Sequence, residues 1–264
     1  MVKIVSGISH EGGSTIILIN LTNLFNSKGI DTTFYGPHDY HLDKCKAKPY
    51  SKFKIEKNDI IMAHHLRMEK RPPVKRIVLA SHEKWWFEVA DIPVFWDTVV
   101  FNHEEQRQYH NRYQGPYTLI PNPKDTNHTL YPIDKPDKEL VAGVIGSIDP
   151  RKQTHLSIQR ALDDGCEMVL VYGKVFDVAY YKKYCWKYYW HEKVKFMDHA
   201  SNKQDMYNSI GRVYHMSMGE VSCLVKDECH YTNTKFFGTD QTNHIVSELT
   251  NDELFLLWKD VLKF

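Results

Sequence analysis

The chain has 264 residues and a formal net charge of +1, with 42% hydrophobic and 25% charged residues. This length corresponds to one large or two small domains of an ordinary globular protein. The near-zero net charge excludes nucleic-acid binding by the surface as a whole, so any basic site must be local. The chain has no apolar run near the roughly 18 residues of a membrane span and no signal-peptide core at its start. Its five cysteines form no Cys-x-x-Cys pair, which predicts reduced thiols and a cytoplasmic protein.

The first half of the sequence alternates short apolar strands with turns and helices. Strands are predicted over residues 3–6, 31–35, 59–63, 76–80, 98–101 and 118–120, helices over 16–28 and 104–112, and a surface loop over the lysine-rich residues 44–57. The first strand and helix are joined by a turn with three glycines, Gly7, Gly12 and Gly13. Such a unit presents backbone N–H groups to an anion, although a tight strand-to-helix turn explains the glycines equally well.

Polar side chains follow successive predicted strands of this half. His64 and His65 follow the third strand, and Ser81, His82 and Glu83 follow the fourth. Ligands bind at the carboxyl ends of the strands in an open α/β sheet, so this edge is a predicted binding site. The adjacent His64 and His65 would point to opposite faces of a strand, and we therefore predict no metal site.

Residues 121–139 contain four prolines and form the predicted linker. After it, strands are predicted over residues 140–145, 168–172, 194–197 and 213–216, and helices over 154–163, 177–190, 201–210 and 251–264. The repeated pattern predicts an α/β protein with two Rossmann-like domains that face a central cleft. The expected bounds are 1–122, a linker at 123–139, and 140–264, with helix 251–264 placed either there or back on the first domain.

A break at Gly219 is followed by a helical apolar pattern, with Val221, Leu224 and Val225 at i, i+3 and i+4. The next position of this stripe is Glu228, and a carboxylate on an inward face costs free energy unless it is paired. Glu220 precedes the predicted first turn, where the helix dipole favours negative charge. From spacing alone, two ordinary helix charges and a pair of ligand-binding carboxylates remain equally good interpretations.

The pattern Ser217-x-x-Glu220-x7-Glu228 resembles the Glu-x7-Glu motif of retaining glycosyltransferases of family four, which have the GT-B fold. Further segments resemble that family in the same order along the chain. They are Gly12-Gly13, the strand ends at His64 and at His82-Glu83, Ile120-Pro-Asn122-Pro, and Gly146-Ser-Ile-Asp-Pro-Arg151-Lys152. Ser147 departs from the family, which usually has arginine there, and so does the segment 229–235 after Glu228.

The resemblance implies retaining, metal-independent transfer of a hexose or pentose from a nucleotide sugar, with a UDP- or GDP-sugar as co-substrate and no cofactor. Glu220 and His82 would be the catalytic residues, with Glu220 orienting hydroxyl groups of the donor sugar. His64 and Glu83 would bind the acceptor. The remaining assignments are to donor binding: Gly12, Gly13, Arg151, Lys152, Gly173 and Glu228. Among these, Arg151 and Lys152 would hold the diphosphate, and Glu228 would bind the ribose.

The acceptor and the role of helix 177–190 stay open at this point. The helix interleaves lysines with aromatic residues, which suits a nucleic-acid surface. The favoured interpretation is an amphipathic helix with its rings packed inward. Compact glycosyltransferases of this general fold occur in bacteriophages, where some glycosylate hydroxymethylated DNA bases. The resemblance therefore leaves two kinds of acceptor open: such DNA, or a bacterial surface glycan, lipid or protein. The alternative function is a non-catalytic module of the same fold that binds a sugar nucleotide or nucleic acid.

Overall fold

The computed structural model describes residues 1–9, 12–66, 68–82, 95–125, 130–134, 136–198, 200 and 202–264. The chain forms two compact units, one of Met1–Asn127 with Ser247–Phe264 and the other of His128–Val246. The second unit therefore ends at Val246, short of the expected bound at residue 264. The last 18 residues belong to the first unit, because their helix packs there.

The first unit contains a seven-stranded sheet in which every strand pairs in parallel with its neighbour. Its order is β3-β2-β1-β4-β5-β6-β7. The strands are β1 Val2–Ser6, β2 Thr32–Gly36, β3 Ala47–Pro49, β4 Ile60–His64, β5 Arg76–Ala80, β6 Thr98–Phe101 and β7 Tyr117–Leu119. The central strands are continuous apolar runs, because a parallel sheet is covered on both faces. Edge strand β3 lies within residues 44–57, where a loop was expected.

The second unit contains a five-stranded parallel sheet in the order β10-β9-β8-β11-β12. Its strands are β8 Val141–Ile145, β9 Met168–Tyr172, β10 Val194–Phe196, β11 Arg212–His215 and β12 Lys235–Gly238. The sequence pattern did not predict β12. This edge strand has neither an alternating nor a fully apolar pattern, and its two phenylalanines are only half-buried.

Seven α-helices connect or follow these strands in the described part of the chain. They are α1 Gly13–Ser27, α2 Glu104–Tyr109, α3 Thr154–Asp163, α4 Val178–Tyr180, α5 Lys203–Asn208, α6 Leu224–Tyr231 and α7 Asn251–Leu262. A π-helical turn, Tyr181–Cys185, and a 3-10 turn, Trp186–Tyr188, continue α4. Further 3-10 turns are Asp39–His41, Tyr50–Lys52, Pro136–Lys138 and Asp240–Thr242. None of the described helices has both the length and the apolar character needed to cross a membrane.

Several predicted helices differ from the structure. Helix α1 begins at Gly13 rather than at residue 16, and α2 ends at Tyr109 rather than near residue 112. The helix after Gly219 begins at Leu224 rather than at Val221, so Val221 belongs to the preceding loop. The helix predicted over 177–190 is one α-helical turn followed by π and 3-10 turns. Helix periodicity does not distinguish these forms when aromatic residues occupy half of the positions, on every side of the helix.

The C-terminal helix α7 packs on α1 through aromatic side chains. The ring of Phe25 lies 6.1 Å from that of Trp258 and 6.0 Å from that of Phe264, both edge-on. Lys28 also forms an ion pair with Asp252 at 2.7 Å. The helix starts with a capping box between Thr250 and Glu253, which satisfies its first N–H groups.

We expect Trp258→Ala to lower the free energy of unfolding of the first unit by about 3–5 kcal/mol, because it removes a buried aromatic side chain and leaves a cavity. Leu256→Ala is the matched control, since Leu256 lies on the same helix but is 62% exposed. Urea unfolding followed by circular dichroism measures both. Equal transition midpoints for the two variants would contradict the packing of α7 described above.

Candidate active site

The turn between β8 and α3 places Arg151 and Lys152 beside the end of the second sheet. Asp149 closes the turn, since one carboxylate oxygen accepts the Lys152 backbone N–H at 2.8 Å and the other accepts the Ser147 hydroxyl at 2.6 Å. Gln153 has a positive φ of 50° and directly precedes α3. The Ser147 hydroxyl therefore stabilises the turn, and Arg151 and Lys152 give the turn its positive charge.

The glycines at the ends of β8 and β9 allow these strands to approach closely. Gly146 has φ +132° and Gly173 has φ +149°, in the region that favours glycine. A Cβ atom on Gly173 would lie 1.9 Å from the carbonyl oxygen of Gly146. This packing is a structural reason for Gly173, and the turn that carries Lys152 depends on it.

The loop between β11 and α6 is fixed on the same turn by its backbone. The Met218 N–H donates to the carbonyl oxygen of Arg151 at 2.9 Å, and the Ser217 hydroxyl donates to the same oxygen at 3.3 Å. Arg151 in turn donates from its guanidinium to the carbonyl oxygen of Gly219 at 3.1 Å. Ser217 and Arg151 thereby place Glu220 against the cations of a turn that lies nearly seventy residues earlier in the sequence.

Glu220 has a side chain that is only 9% exposed, with three basic groups around one of its carboxylate oxygens. Lys152 Nζ donates to Glu220 Oε1, and His215 Nε2 is 3.0 Å from the same oxygen. The Arg151 guanidinium lies 3.9 Å away. The other oxygen, Oε2, has no hydrogen-bond partner among the described residues. One carboxylate oxygen is thus held in place while the other can accept a bond from a ligand.

The charges of this cluster are set by its partners. Burial alone would raise the pKa of Glu220, but the hydrogen bond from His215 and the charge of Lys152 outweigh it and hold this pKa well below its usual range. Burial lowers the pKa of His215, and the hydrogen bond to Glu220 opposes that effect only in part. At neutral pH the site therefore holds an ionised Glu220, a neutral His215 and the cations of Arg151 and Lys152.

Glu228, the second carboxylate of the pattern, lies apart from this cluster on helix α6 and has its own partners. Lys203 Nζ donates to Glu228 Oε1 at 2.6 Å, and the Tyr207 hydroxyl donates to Oε2 at 2.9 Å. The expected inward position of Glu228 is thus compensated by a cation and a phenol. Burial and the adjacent Glu228 raise the pKa of Tyr207 well above its ordinary value, so Tyr207 stays a neutral donor.

The first unit brings His64 and His82 together at the ends of β4 and β5. Their ring centroids are 5.0 Å apart. His64 Nδ1 is 2.9 Å from the hydroxyl of Ser6, and His64 Nε2 is buried with no hydrogen-bond partner in the described ranges. Burial lowers the pKa of His64 well below its ordinary value, and His82 and His65 add to the shift. The imidazole of His64 is therefore neutral, and its buried Nε2 is left without a partner in the part of the chain that the structure describes.

Three further predicted positions, Gly12, Gly13 and Glu83, belong to the first unit. Gly12 is extended and precedes α1, which begins at Gly13, three residues before the predicted start at residue 16, so Gly13 belongs to the helix and not to the turn. Glu83 lies outside the described residues. Among the residues that are described, no three His, Cys, Asp or Glu side chains are grouped as metal ligands.

Sequence reasoning missed three residues of the site: His215, Lys203 and Tyr207. His215 ends strand β11, and the same rule that identified His64 and His82 as polar strand ends would have found it. Lys203 and Tyr207 lie on α5, which precedes α6 by more than a dozen residues. No sequence signal connects them to Glu228, because the contact depends on how the two helices pack.

No protein-family profile matches the chain, and no curated protein matches it in sequence. Solved structures do match. HepE of Anabaena in complex with UDP and glucose has a TM-score of 0.70 and 13% identity, over 99% of this chain and 89% of that one. The corresponding values for sucrose-phosphate synthase of Thermosynechococcus elongatus are 0.68 and 13%, over 99% and 90%. WaaG, a glycosyltransferase involved in lipopolysaccharide biosynthesis, gives 0.66 and 11%, over 100% and 91%. The chain therefore has the two-domain GT-B fold.

The Glu220 cluster predicts that acid destabilises the second unit. Below the ordinary His215 pKa of 6.5 the unfolded chain protonates this histidine before the folded chain does, and below the ordinary Glu220 pKa of 4.5 the same holds for the carboxylate. The unfolded state then binds more protons, so the free energy of unfolding falls as the pH is lowered. Urea titrations at pH 7, 5.5 and 4 measure this loss.

Glu220→Gln should flatten the part of this dependence that lies below pH 4.5, because the amide does not titrate and its oxygen still accepts bonds from Lys152 and His215. Glu167→Gln, at an exposed position of the same unit, should leave the slope unchanged. Identical slopes for the wild type and Glu220→Gln would show that Glu220 is not held ionised by this cluster.

Proposed function

We propose that the protein transfers a sugar from a nucleotide-sugar donor to a hydroxyl group of an acceptor. The observation that carries the proposal is the ionised Glu220, which is held through one oxygen by Lys152 and His215 and has its other oxygen available. The GT-B fold supports it as well, since HepE, a solved structure of this fold, is crystallised with UDP-glucose. The site therefore combines a hydroxyl-binding carboxylate with cations for a diphosphate.

Arg151 and Lys152 are proposed to bind the diphosphate of the donor. An ammonium has three donors and a guanidinium has five, and each side chain uses one of them in the hydrogen bonds described above. The remaining N–H groups can make charge-assisted bonds to phosphate oxygens. Negative charge grows on the leaving oxygen as the sugar departs, so these cations stabilise the transition state more than the ground state.

We propose that the transfer retains the anomeric configuration and needs neither a metal ion nor a protein nucleophile. The bond between the anomeric carbon and the diphosphate oxygen breaks, and its electron pair leaves with the diphosphate. The acceptor hydroxyl oxygen bonds to the anomeric carbon on the same face, and its proton passes to the leaving phosphate. Arg151 and Lys152 provide the positive charge, while Glu220 Oε2 accepts a hydroxyl of the donor sugar and holds the ring in place.

Glu228 is proposed to bind the ribose of the donor nucleotide. A carboxylate has about four positions for hydrogen bonds, and Lys203 and Tyr207 occupy two of them. Both oxygens therefore keep a position for a ribose hydroxyl, and their orientation is fixed in advance. Gly173, at the end of β9, is likewise proposed to contact the bound donor.

In the first unit, Gly12 and Gly13 are proposed to offer backbone N–H groups to the donor. His82 is proposed to contact the reacting sugar, and His64 and Glu83 to bind the acceptor. The available Nε2 of a neutral His64 suits a hydroxyl, which can donate to it or accept from it. The acceptor hydroxyl would belong to a surface glycan or to hydroxymethylated DNA, and the donor nucleotide would be UDP or GDP.

A non-catalytic sugar-nucleotide module remains the second candidate, because one specific observation favours it. Ser147 stands where the resembling family has arginine, and its hydroxyl is turned to Asp149. The phosphate site therefore has one cation fewer. Release of free nucleotide from a panel of UDP- and GDP-sugars distinguishes the candidates, since a binding module binds the donor without cleaving it.

We expect Glu220→Gln to lower kcat/KM for sugar transfer by about a hundredfold, because an N–H donor and a neutral amide replace the acceptor and charge of Oε2. The matched control is Glu139→Gln, which changes an exposed glutamate of the same unit that pairs with Lys235. Nucleotide release in the presence of acceptor measures both variants. Full activity in Glu220→Gln, with circular dichroism unchanged, would contradict the proposal.

Lys152→Met should weaken the binding of UDP or GDP by about tenfold, since one charge-assisted phosphate contact is lost. A thermal-shift titration measures this, because a ligand at a hundred times its dissociation constant stabilises the protein by about 2.7 kcal/mol. Lys235→Met removes an exposed lysine of the same unit and should not change the titration. Equal affinity of Lys152→Met and Lys235→Met for the nucleotide would show that the diphosphate does not bind at Lys152.

A further inference from the structure

The segment between β9 and β10 carries a cluster of aromatic rings on the surface of the second unit. Trp190 is 76% exposed, and Trp186 and Tyr189 are each 48% exposed. Trp186 stacks on Tyr189 at 5.3 Å, and Trp190 lies edge-on to both. Tyr181 and Phe196 join the cluster from below, at 5.7 Å from each other. Rings of this size are normally buried, so their exposure in one cluster points to a partner.

The exposure follows from the π-helical turn. The buried positions of this segment are Tyr180, Cys185 and Tyr188, at spacings of five and three residues. A regular α-helix would bury positions three or four apart and would turn Tyr184 inward with Tyr180. The wider turn instead gives the core position to Cys185, a small side chain. The expectation that the rings of residues 177–190 pack inward is therefore wrong for Trp186, Tyr189 and Trp190.

Lysines surround these rings and have no acidic partners among the residues that the structure describes. The segment contributes five exposed lysines: Lys182, Lys183, Lys187, Lys193 and Lys195. None of them forms an ion pair within the ranges that the structure describes. Lys183 and Lys187 lie over the neighbouring rings of Tyr184 and Tyr188 at 4.9 and 4.7 Å. Together with the five rings, these five lysines form what we call the aromatic–lysine patch.

The patch is separate from the candidate active site. Lys152 and Glu220 follow strands β8 and β11, at the carboxyl ends of the central strands. Trp186 and Trp190 instead precede β10, an edge strand that runs parallel to the others. The patch also includes Phe196, which ends β10 and contacts Tyr181 and Tyr189. Among the described residues, no hydrogen bond, ion pair or ring contact joins the patch to Lys152, His215 or Glu220, and the donor-binding role proposed above does not account for it.

We infer that the aromatic–lysine patch docks the protein on the surface of an anionic lipid bilayer. Tryptophan and tyrosine favour the interface of a membrane, where the ring is buried and its polar group stays hydrated. Lysines beside them are attracted to anionic headgroups, and their long side chains reach that charge while the rings insert. The two features occur on one short segment, as in helices that lie in the plane of the interface.

The geometry disfavours two other occupants. In a symmetric dimer the same patch would face itself, and five lysines would oppose five lysines across the contact. Single-stranded nucleic acid stacks its bases on open ring faces. Here one face each of Trp186 and Tyr189 is covered by the other ring, and Trp190 is perpendicular to both. A lipid interface does not require aligned rings.

Sedimentation of the full chain with vesicles tests the inference. We expect binding to vesicles of phosphatidylcholine with phosphatidylglycerol and little binding to phosphatidylcholine alone. Lys187→Gln with Lys193→Gln should lower the partition coefficient by about fivefold for each lysine. Trp190→Ser should lower it by about tenfold, since it removes a ring that would insert. Both changes are at exposed positions, so the thermal midpoint should not move.

Matched controls lie in the first unit. Lys70→Gln with Lys75→Gln removes two exposed lysines, and Tyr109→Ser removes a ring that is half-exposed. Neither control should change vesicle binding. The inference is overturned if the chain does not sediment with anionic vesicles, or if controls and patch variants lose binding equally. If the wild-type chain does not bind vesicles but binds an oligonucleotide, and Trp190→Ser loses that binding, the patch is a nucleic-acid site. If the wild-type chain instead forms a dimer that Trp190→Ser loses, the patch is a contact between two copies of the chain. Nucleotide release is scored separately, so this result does not depend on the proposed activity.

Discussion

The contact between Lys152 and Glu220 determines how the second unit presents its site. It joins the turn after β8 to the loop after β11, and each of these segments has little regular structure of its own. A carboxylate loses hydration when it is buried, and the nearby cation and His215 offset that cost only in this arrangement. The same constraint keeps Glu220 ionised and limits the positions that Arg151 and the loop carrying Gly219 can adopt.

The parallel sheets explain why these groups meet at all. Connections in such sheets return each strand in the same direction, so the residues after β8, β9 and β11 share one edge. At Gly146 and Gly173 the ends of β8 and β9 approach so closely that a side chain on Gly173 would not fit between them. The first unit repeats the principle with His64 and His82. Each unit thus gathers polar groups that are far apart in sequence, although its strands are apolar.

Buried polar groups recur in both halves, and their partners define what each can do. Glu228 has a donor on each oxygen, whereas Glu220 has its donors on one oxygen only. The first arrangement fixes an orientation, and the second leaves an acceptor for a ligand. The aromatic–lysine patch is the opposite case, because its lysines form no ion pair among the described residues and three of its rings are exposed at the surface. We therefore expect the patch to act by binding a partner at the surface of the protein.

The sequence by itself determined most strands, helix α3 and the separation into two α/β units, because these follow from local apolar runs and from the prolines between them. Glu220 was also singled out, because it lies just before a helical apolar pattern, whereas Arg151 and Lys152 were indicated by the resemblance to the glycosyltransferase family. The tertiary structure alone decided that His215 holds Glu220, that Lys203 and Tyr207 pair with Glu228, and that Phe25 packs on α7. Such partners are separated along the chain, and only packing brings them together. The π-helical turn that exposes Trp190 is likewise a consequence of fitting Cys185 into the core, which no periodicity in the sequence encodes.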